Sequence, residues 1–386
     1  MVASTMTQRR RLLVVCLVAL LSPALSLACI LCTSQGSPLS KEIADAKLVV
    51  FGKVVDARLG PDGMKGTSDV VVESLLQGDT AFIKNNRLVL PRYVPPVPGV
   101  KYIIFLDVIQ GQIDPYRSIV CSSDRLLQYL QKMPKLTGAG TPAERQARLK
   151  FTFDYFQDAE PELAADAYKE WSIADNKDVA AIATQVDATK LRRWLLDPKT
   201  PPHCLSLYSY LLGCSGNSSD VELIKKLALT PPDAKYHGAL DGMLSGIQHQ
   251  QPTEVWALAQ TILRDPQRTF TERYAVLRFT RFVKEVQYEA VKTQMNATLL
   301  LFLNQPDMVD LVIEQMRLMK NWEHQAKVLK LYDSSAAPIT RRAIIRYALH
   351  CPSAEAQALI RTLRQKEPET VNEVEELLQL SGKPAG

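Results

Sequence analysis

The spacing of apolar and polar residues divides the chain into two parts with different periods. Between Leu48 and about Val120, short β-branched runs are separated by turn residues, a pattern typical of β-strands. We predict five strands, at 48–55, 69–76, 87–90, 101–108 and 118–121. Short strands joined by turns favour a small antiparallel barrel or sandwich. A helix over 40–46, with Ser40 as its N-cap, is predicted to precede them.

After Asp124 the period becomes helical. A helix is predicted over 125–132, and from Ala143 to the end only helical periodicity is found. The helix starts that we predict there fall at Pro161, Pro202, Pro232, Phe270, Pro306 and Pro338. Two segments, 273–279 and 341–347, match each other and lie 68 residues apart, which is two repeats of 34. Helix pairs of that length are typical of an α-solenoid, and an irregular helical domain is the alternative.

The first 28 residues have the pattern of a secretory signal. Three arginines at 9–11 precede an apolar run from Leu12 to Leu21. In Ser26-Leu27-Ala28, small residues occupy the two positions that a signal peptidase recognises. We therefore predict export, to the periplasm or to the medium, with Cys29 as the new N-terminus. The apolar run is too short to span a bilayer, so no transmembrane segment is expected. A lipid anchor at Cys29 is the alternative, although Ser26 stands where lipoprotein signals carry a large aliphatic residue.

The charge of the chain argues against nucleic acid as a partner. The formal net charge is +5, and without the three arginines of the signal, which has no acidic residue, it falls to +2. Nucleic-acid binding requires a concentrated basic surface. The five histidines stand at no metal-binding spacing, and no nucleophile elbow, zinc-protease motif or phosphate loop is present. We expect no cofactor and no catalysis.

The pair Cys29-x-x-Cys32 is the one short motif that carries chemistry. Two thiols at this spacing can form a disulfide, exchange with other thiols, or supply half of a metal site. A structural disulfide, with Cys121 as a further candidate partner, is our main interpretation, because a redox motif of the thioredoxin type needs a strand before it. Cys204, Cys214 and Cys351 are predicted to be buried free thiols.

Basic residues recur on the two matched helical segments. Arg273, Arg281 and Lys284 fall on one face of the first predicted helix, and Arg278 lies in the same segment. Arg341, Arg342 and Arg346 occupy the later one. Together they predict a basic ridge that could bind a partner, and the alternative is an ordinary solvated helix face.

The N-terminal half resembles a family of secreted planctomycete proteins of unknown activity. The residues that carry the resemblance are Ala28-Cys29-Ile30-Leu31-Cys32, Gly36, Leu39, Ala44-Asp45-Ala46, Val49-Val50-Phe51-Gly52, Leu90-Pro91-Arg92-Tyr93, Leu106-Asp107-Val108 and Asp114-Pro115-Tyr116-Arg117. The resemblance implies export and a shared cysteine pair.

A looser resemblance is to the netrin-like OB barrels, which include the tissue inhibitors of metalloproteinases. Their mature chains also begin on a cysteine and continue with a first strand similar to Ala44-Asp45 and Val49-Val50-Phe51-Gly52. The resemblance implies that Cys29 would chelate a protease metal. This chain differs in having C-x-x-C where the inhibitors have C-x-C.

These observations predict an α+β multidomain protein, in which a small antiparallel β-barrel (OB or netrin-like) precedes an all-α HEAT-like repeat domain. The predicted boundaries are 1–28 for the signal, 29–133 for the barrel, 134–142 for a linker and 143–386 for the helical domain. We expect an exported, non-catalytic protein that binds another protein or a cell-surface polymer through its helical repeats. The alternatives are a thiol redox or metal-binding protein using Cys29 and Cys32, or an inhibitor using Cys29.

Overall fold

The computed structural model describes residues 29–32, 36–61, 65–334 and 337–381. The predicted signal at 1–28 lies outside these residues. The chain forms two compact units, one covering 33–182 and the other covering 183–386 together with the segment that ends at Cys32. The predicted linker at 134–142 falls inside the first of these units, and helices 142–182 group with the sheet. We call the two the sheet unit and the helical unit.

The sheet unit is built on one antiparallel sheet of five strands in the order β3-β2-β1-β4-β5. The strands are β1 Leu48–Leu59, β2 Gly66–Gln77, β3 Arg87–Leu90, β4 Lys101–Ile109 and β5 Gln112–Cys121. All five predicted strands are confirmed. The outer strands β3 and β5 approach each other but form no hydrogen-bonded ladder among the described residues, so the sheet is not closed.

The first five residues of β1 and the residues of β4 that pair with them are largely buried on both faces of the sheet. On one face, Leu48 and Val50 belong to a core with Tyr102 and Ile104. The residues between them, such as Phe51, are equally buried on the other face. This explains why β1 begins with a continuous apolar run, because a strand covered on both faces does not alternate.

Five helices accompany the sheet. They are α1 Leu39–Asp45, α2 Arg125–Lys132, α3 Pro142–Phe153, α4 Pro161–Ser172 and α5 Asn176–Ile182. The prediction of α2 is confirmed, whereas that of Ser40 as an N-cap is wrong. Pro38 holds the N-cap position of α1, and the Ser40 hydroxyl instead donates to Glu170 of α4. Helix α3 begins at a capping box formed by Thr141 and Glu144.

The helical unit contains eleven α-helices among the described residues. They are α6 Ala188–Leu196, α7 Leu205–Ser215, α8 Ser218–Leu229, α9 Leu240–Gln250, α10 Glu254–Arg264, α11 Phe270–Phe302, α12 Val309–Leu318, α13 Gln325–Ser334, α14 Pro338–His350, α15 Ala354–Lys366 and α16 Pro368–Ser381. Three of the six predicted helix starts, Pro161, Phe270 and Pro338, are first residues of helices. The other three lie in short segments just before one.

The helices alternate in a repeat-like arrangement. We call α7, α9, the first half of α11, α12, α14 and α16 the A helices, because each packs on the next in this series. The helices between them are the B helices. Helix α11 serves as an A helix and then as a B helix, and its non-helical residue Gln287 marks the kink between the halves. Both matched segments, 273–279 and 341–347, lie in A helices.

None of the helices described is both long and apolar enough to cross a membrane.

Candidate functional site: a groove between α11 and α12

Five of the seven predicted ridge residues are engaged in ion pairs. On α11, Arg273 binds both carboxylate oxygens of Asp307, at 2.9 and 2.6 Å. Arg278 reaches the buried carboxylate of Asp241 on α9, at 2.8 Å. Both pairs join the A helix α11 to a neighbouring part of the repeat.

The three arginines of α14 are paired in the same way. Arg341 bonds to Glu367 at 2.8 Å, Arg342 bonds to Glu373 at 2.9 Å, and Arg346 bonds to Glu314 at 3.1 Å. Partly exposed pairs of this kind contribute about 0–1 kcal/mol each. These five arginines therefore connect repeats through ion pairs.

The other two ridge residues, Arg281 and Lys284, line a groove between α11 and α12. Within the described ranges, neither side chain has a carboxylate within ion-pair distance. The groove has a volume of about 360 Å³. The residues that line it are Tyr274, Leu277, Arg281, Lys284, Glu285, Leu311, Glu314, Gln315, Leu318 and Met319.

Helical spacing places these side chains on the two walls. Tyr274, Leu277, Arg281 and Lys284 follow one another at intervals of three or four residues, so they share one face of α11. Leu311 and Leu318 are two turns apart on α12. The two helices are tied at the base, where the side-chain amide of Gln315 donates to the Thr280 hydroxyl at 3.1 Å.

The groove is apolar at its floor and carries an exposed apolar edge. Leu277 is only 2% exposed, whereas Leu318 is 50% exposed on the opposite wall. At one end, the ring of Tyr274 stacks on that of Phe270, with centroids 5.9 Å apart. An exposed leucine beside a concave apolar surface is a common feature of binding sites.

The acidic residue of the α12 wall does not neutralise the two cations. Glu314 accepts from Arg317 at 2.5 Å and from Arg346 at 3.1 Å. Burial alone would raise the pKa of Glu314, but the hydrogen bonds from these arginines outweigh burial and lower it. The carboxylate of Glu314 is therefore charged and already satisfied by Arg317 and Arg346.

The cysteine motif forms a disulfide in the structure. Cys29 and Cys32 are bonded to each other, with their Cα atoms 5.3 Å apart, and Cys29 is buried. Cys121, the third disulfide candidate, is a free buried thiol, and burial raises its pKa to about 11. Cys204, Cys214 and Cys351 are also free and buried. Among the described residues, no cluster of three His, Cys, Asp or Glu side chains could hold a metal ion.

The sequence reasoning missed a buried acidic pair in the sheet unit. Asp166 and Glu170 lie one turn apart on α4, and both are almost fully buried. The backbone N–H of Leu39 donates to Asp166 at 2.5 Å, and the hydroxyl of Ser40 donates to Glu170 at 2.5 Å. Arg148 lies 3.6 Å from Glu170. This pair fastens the N-terminal turn of α1 to α4.

Burial raises the pKa of both carboxyl groups. The pKa of Asp166 rises to about 6, although the N–H of Leu39 opposes the shift. The pKa of Glu170 also rises, against the effects of Ser40 and Arg148. One signal was present in the sequence, because both acids occupy the same helical face as the apolar Leu163 and Ala167.

No protein-family model, curated protein or solved structure matches this chain.

Proposed function

We propose that this chain is a non-catalytic binding protein, and that its groove between α11 and α12 holds an acidic, amphipathic segment of a partner protein. The observation that carries the proposal is the pair of unpaired cations, Arg281 and Lys284, beside an apolar floor. A partner segment would place apolar side chains against Leu277 and Leu318 and carboxylates on the two cations.

A protein segment suits this groove better than the other partner considered, a cell-surface polymer. Helix-in-groove recognition uses apolar anchors at helical spacing with charged residues beside them. The groove offers such a sequence of sites along α11, from Tyr274 through Leu277 to Arg281. A sugar polymer would leave the apolar half of the groove without matching surface.

We also propose the finer fold assignments that the sequence suggested. The approach of β3 to β5 supports a partly open barrel of the OB type. The alternating A and B helices support a HEAT-like repeat. The pattern at 1–28 supports export, and the N-terminal motifs support membership of the secreted planctomycete family.

A second candidate function is thiol exchange, since the two cysteines of the C-x-x-C motif are bonded to each other. Cys29 is buried and Cys32 is partly exposed, so an incoming thiolate would have to attack the Cys32 sulfur. Insulin reduction by the purified protein, absent in a Cys29→Ser variant, is the result that this function requires.

The groove can be tested with a labelled peptide of alternating Glu and Leu turns, measured by fluorescence anisotropy against the full chain. We expect the double variant Arg281→Glu/Lys284→Glu to weaken binding at least about tenfold, and we expect added salt to weaken binding to the wild type. A peptide with Lys in place of Glu should not bind. The matched control is Arg361→Glu/Lys366→Glu on α15, which makes the same charge change at exposed positions.

Two outcomes would contradict the proposal. One is equal binding of the acidic and basic peptides by the wild type. The other is an equal loss of affinity in the α15 control, which would show that net charge alone governs binding. The variant Leu318→Asp tests the apolar half in the same assay, and we expect it to weaken the acidic peptide without altering the fold, because Leu318 is half exposed.

A further inference from the structure

We propose that the sheet unit has a separate binding site for a small carboxylate with an apolar body. The site is a cavity of about 190 Å³ in the sheet, at the open seam between β3 and β5. It does not depend on the groove of the helical unit.

The floor of the cavity is apolar and firmly packed. It consists of Val54 of β1, Leu90 of β3, and Tyr102 and Ile104 of β4. Each of these side chains is buried and belongs to the core of the sheet. An apolar ligand group would therefore meet a preformed surface and would not need to order it.

One wall is the segment that follows β3, and a single buried serine holds it in place. The Ser68 hydroxyl donates to the carbonyl of Arg92 at 2.9 Å, and the N–H of Val94 donates to the Ser68 hydroxyl at 2.8 Å. Arg92, which belongs to this segment, is one of the residues that line the cavity. Within the part of the chain that the structure describes, Arg92 has no acidic partner.

The other wall is a β-bulge in β5. Phe105 pairs with Arg117 and Leu106 pairs with Pro115, so Tyr116 is the extra residue and its side chain is turned out of the regular alternation. Pro115 has no N–H to offer to an added strand, which disfavours a peptide strand as the occupant of this seam. We infer that a compact molecule is held between the walls.

The charged residues that line the cavity favour an anionic ligand. The lining contains no carboxylate, and its two cations differ in availability. Arg117 forms an ion pair with Glu42 and lies over the ring of Phe105, with 5.5 Å between its guanidinium carbon and the ring centroid. Arg92 remains to bind a carboxylate, while the floor binds the apolar body.

The size of the cavity limits that body. A water molecule takes about 30 Å³ in the liquid, so the cavity corresponds to about six waters and is smaller than the sites that hold drug-sized ligands. A phenyl ring with a short carboxylate tail, or a short aliphatic acid, matches this volume. Inorganic phosphate would leave the apolar floor unused.

The test uses the full chain and two probes of nearly equal shape, 3-phenylpropionate and 3-phenylpropan-1-ol, titrated by saturation-transfer NMR. We expect the carboxylate to bind at least about tenfold more tightly than the alcohol. Arg92→Gln should remove that preference and leave the binding of the alcohol unchanged. Arg87→Gln, a matched loss of charge on β3 outside this cavity, should keep the preference.

A second variant tests the location. Ser118 faces Ile104 across the β4–β5 ladder at the mouth of the cavity, and it is exposed, so Ser118→Phe fills the site without disturbing the core. We expect it to abolish binding of both probes. The proposal is overturned if the wild type binds both probes equally, if the preference survives Arg92→Gln, or if Ser118→Phe still binds. Arg281→Glu/Lys284→Glu should leave this binding unchanged, which separates it from the groove.

Discussion

Two neighbouring pairs of A helices differ sharply in how closely they approach. Helices α7 and α9 pack backbone to backbone, because a Cβ atom built on Gly242 would lie 1.8 Å from the carbonyl oxygen of Ser206. Helices α11 and α12 meet through larger side chains, including Tyr274 and Leu311, and enclose the groove. The size of the residues on the facing helix surfaces thus decides whether a repeat interface is closed or open.

The two pairs also differ in how their charges are used. Asp241, which lies on α9, is fully buried, accepts from the Ser206 hydroxyl at 2.8 Å, and is paired with Arg278. Burial raises its pKa, and Arg278 opposes that shift. The open pair instead leaves Arg281 and Lys284 without carboxylates. The charge of Asp241 therefore contributes to the fold by joining α9 to α11, and the charges of Arg281 and Lys284 are available for binding.

The largest predicted effect comes from filling the closed interface. Gly242→Leu should destabilise the protein by about 3 kcal/mol or more. The new side chain would clash with the backbone of α7, and relieving the clash would require one of the two helices to move. Urea unfolding followed by circular dichroism measures this change. Gly238→Ala is the control, since a Cβ there meets nothing within 4 Å. Equal effects of the two variants would show that the close packing is not what holds α7 and α9 together.

Removing Arg278, the cation of α11 that pairs with Asp241 of α9, should have the next largest effect. Arg278→Leu leaves Asp241 as an uncompensated buried charge, and we expect a loss of about 3 kcal/mol in the free energy of unfolding. The loss should shrink as the pH falls, because protonation of Asp241 removes the charge, and adding Asp241→Asn should recover most of it. Arg342→Leu, which breaks an exposed pair with Glu373, should cost less than about 1 kcal/mol.

The elements of the fold were predictable from the sequence because their signals are local. β-Branched runs and turn residues located all five strands. Helical periodicity indicated a helical C-terminal part, in which three of the six predicted starts are first residues of helices. The N-cap of α1 was not predictable from Ser40 alone, because its hydroxyl is taken by Glu170 from a helix 130 residues away. A residue type that favours a cap is overridden when a tertiary partner competes for its side chain.

The groove depended on information that periodicity does not contain. Helical spacing placed Arg273, Arg281 and Lys284 on one face. It could not show that Asp307 pairs with Arg273 and with neither of the other two. Nor could it show the separation of α11 from α12. Both depend on pairwise distances between helices, which the sequence of one helix does not encode.

The stability of the sheet unit should depend on pH through Asp166, a buried acid whose surroundings differ from those of Asp241. Unlike Asp241, Asp166 has no ion pair among the described residues. Its pKa is raised to about 6, so the folded state binds its proton more tightly than the unfolded state does. This contribution to stability is full below the unfolded pKa of about 4 and is lost as the pH rises through about 6.

The variant Asp166→Asn isolates this contribution, because asparagine keeps an acceptor for the N–H of Leu39 and carries no charge. Relative to the wild type, we expect it to gain about 1.4 kcal/mol as the pH rises from about 5 to about 7.5. Chemical unfolding across this range measures the difference between the two proteins, in which the titration of other groups cancels. A difference that does not vary with pH would show that the pKa of Asp166 is not raised.

The smallest predicted effect on stability belongs to the groove itself. Arg281→Gln/Lys284→Gln removes two charges that have no partners, so we expect the free energy of unfolding to change by less than about 0.5 kcal/mol. The same variant should weaken binding of the acidic peptide at least about tenfold in the anisotropy assay. A residue that supports the fold cannot show this separation, because loss of packing would lower stability and binding together. A destabilisation comparable to that of Arg278→Leu would place both cations in the framework of the repeat and leave the groove without its charge.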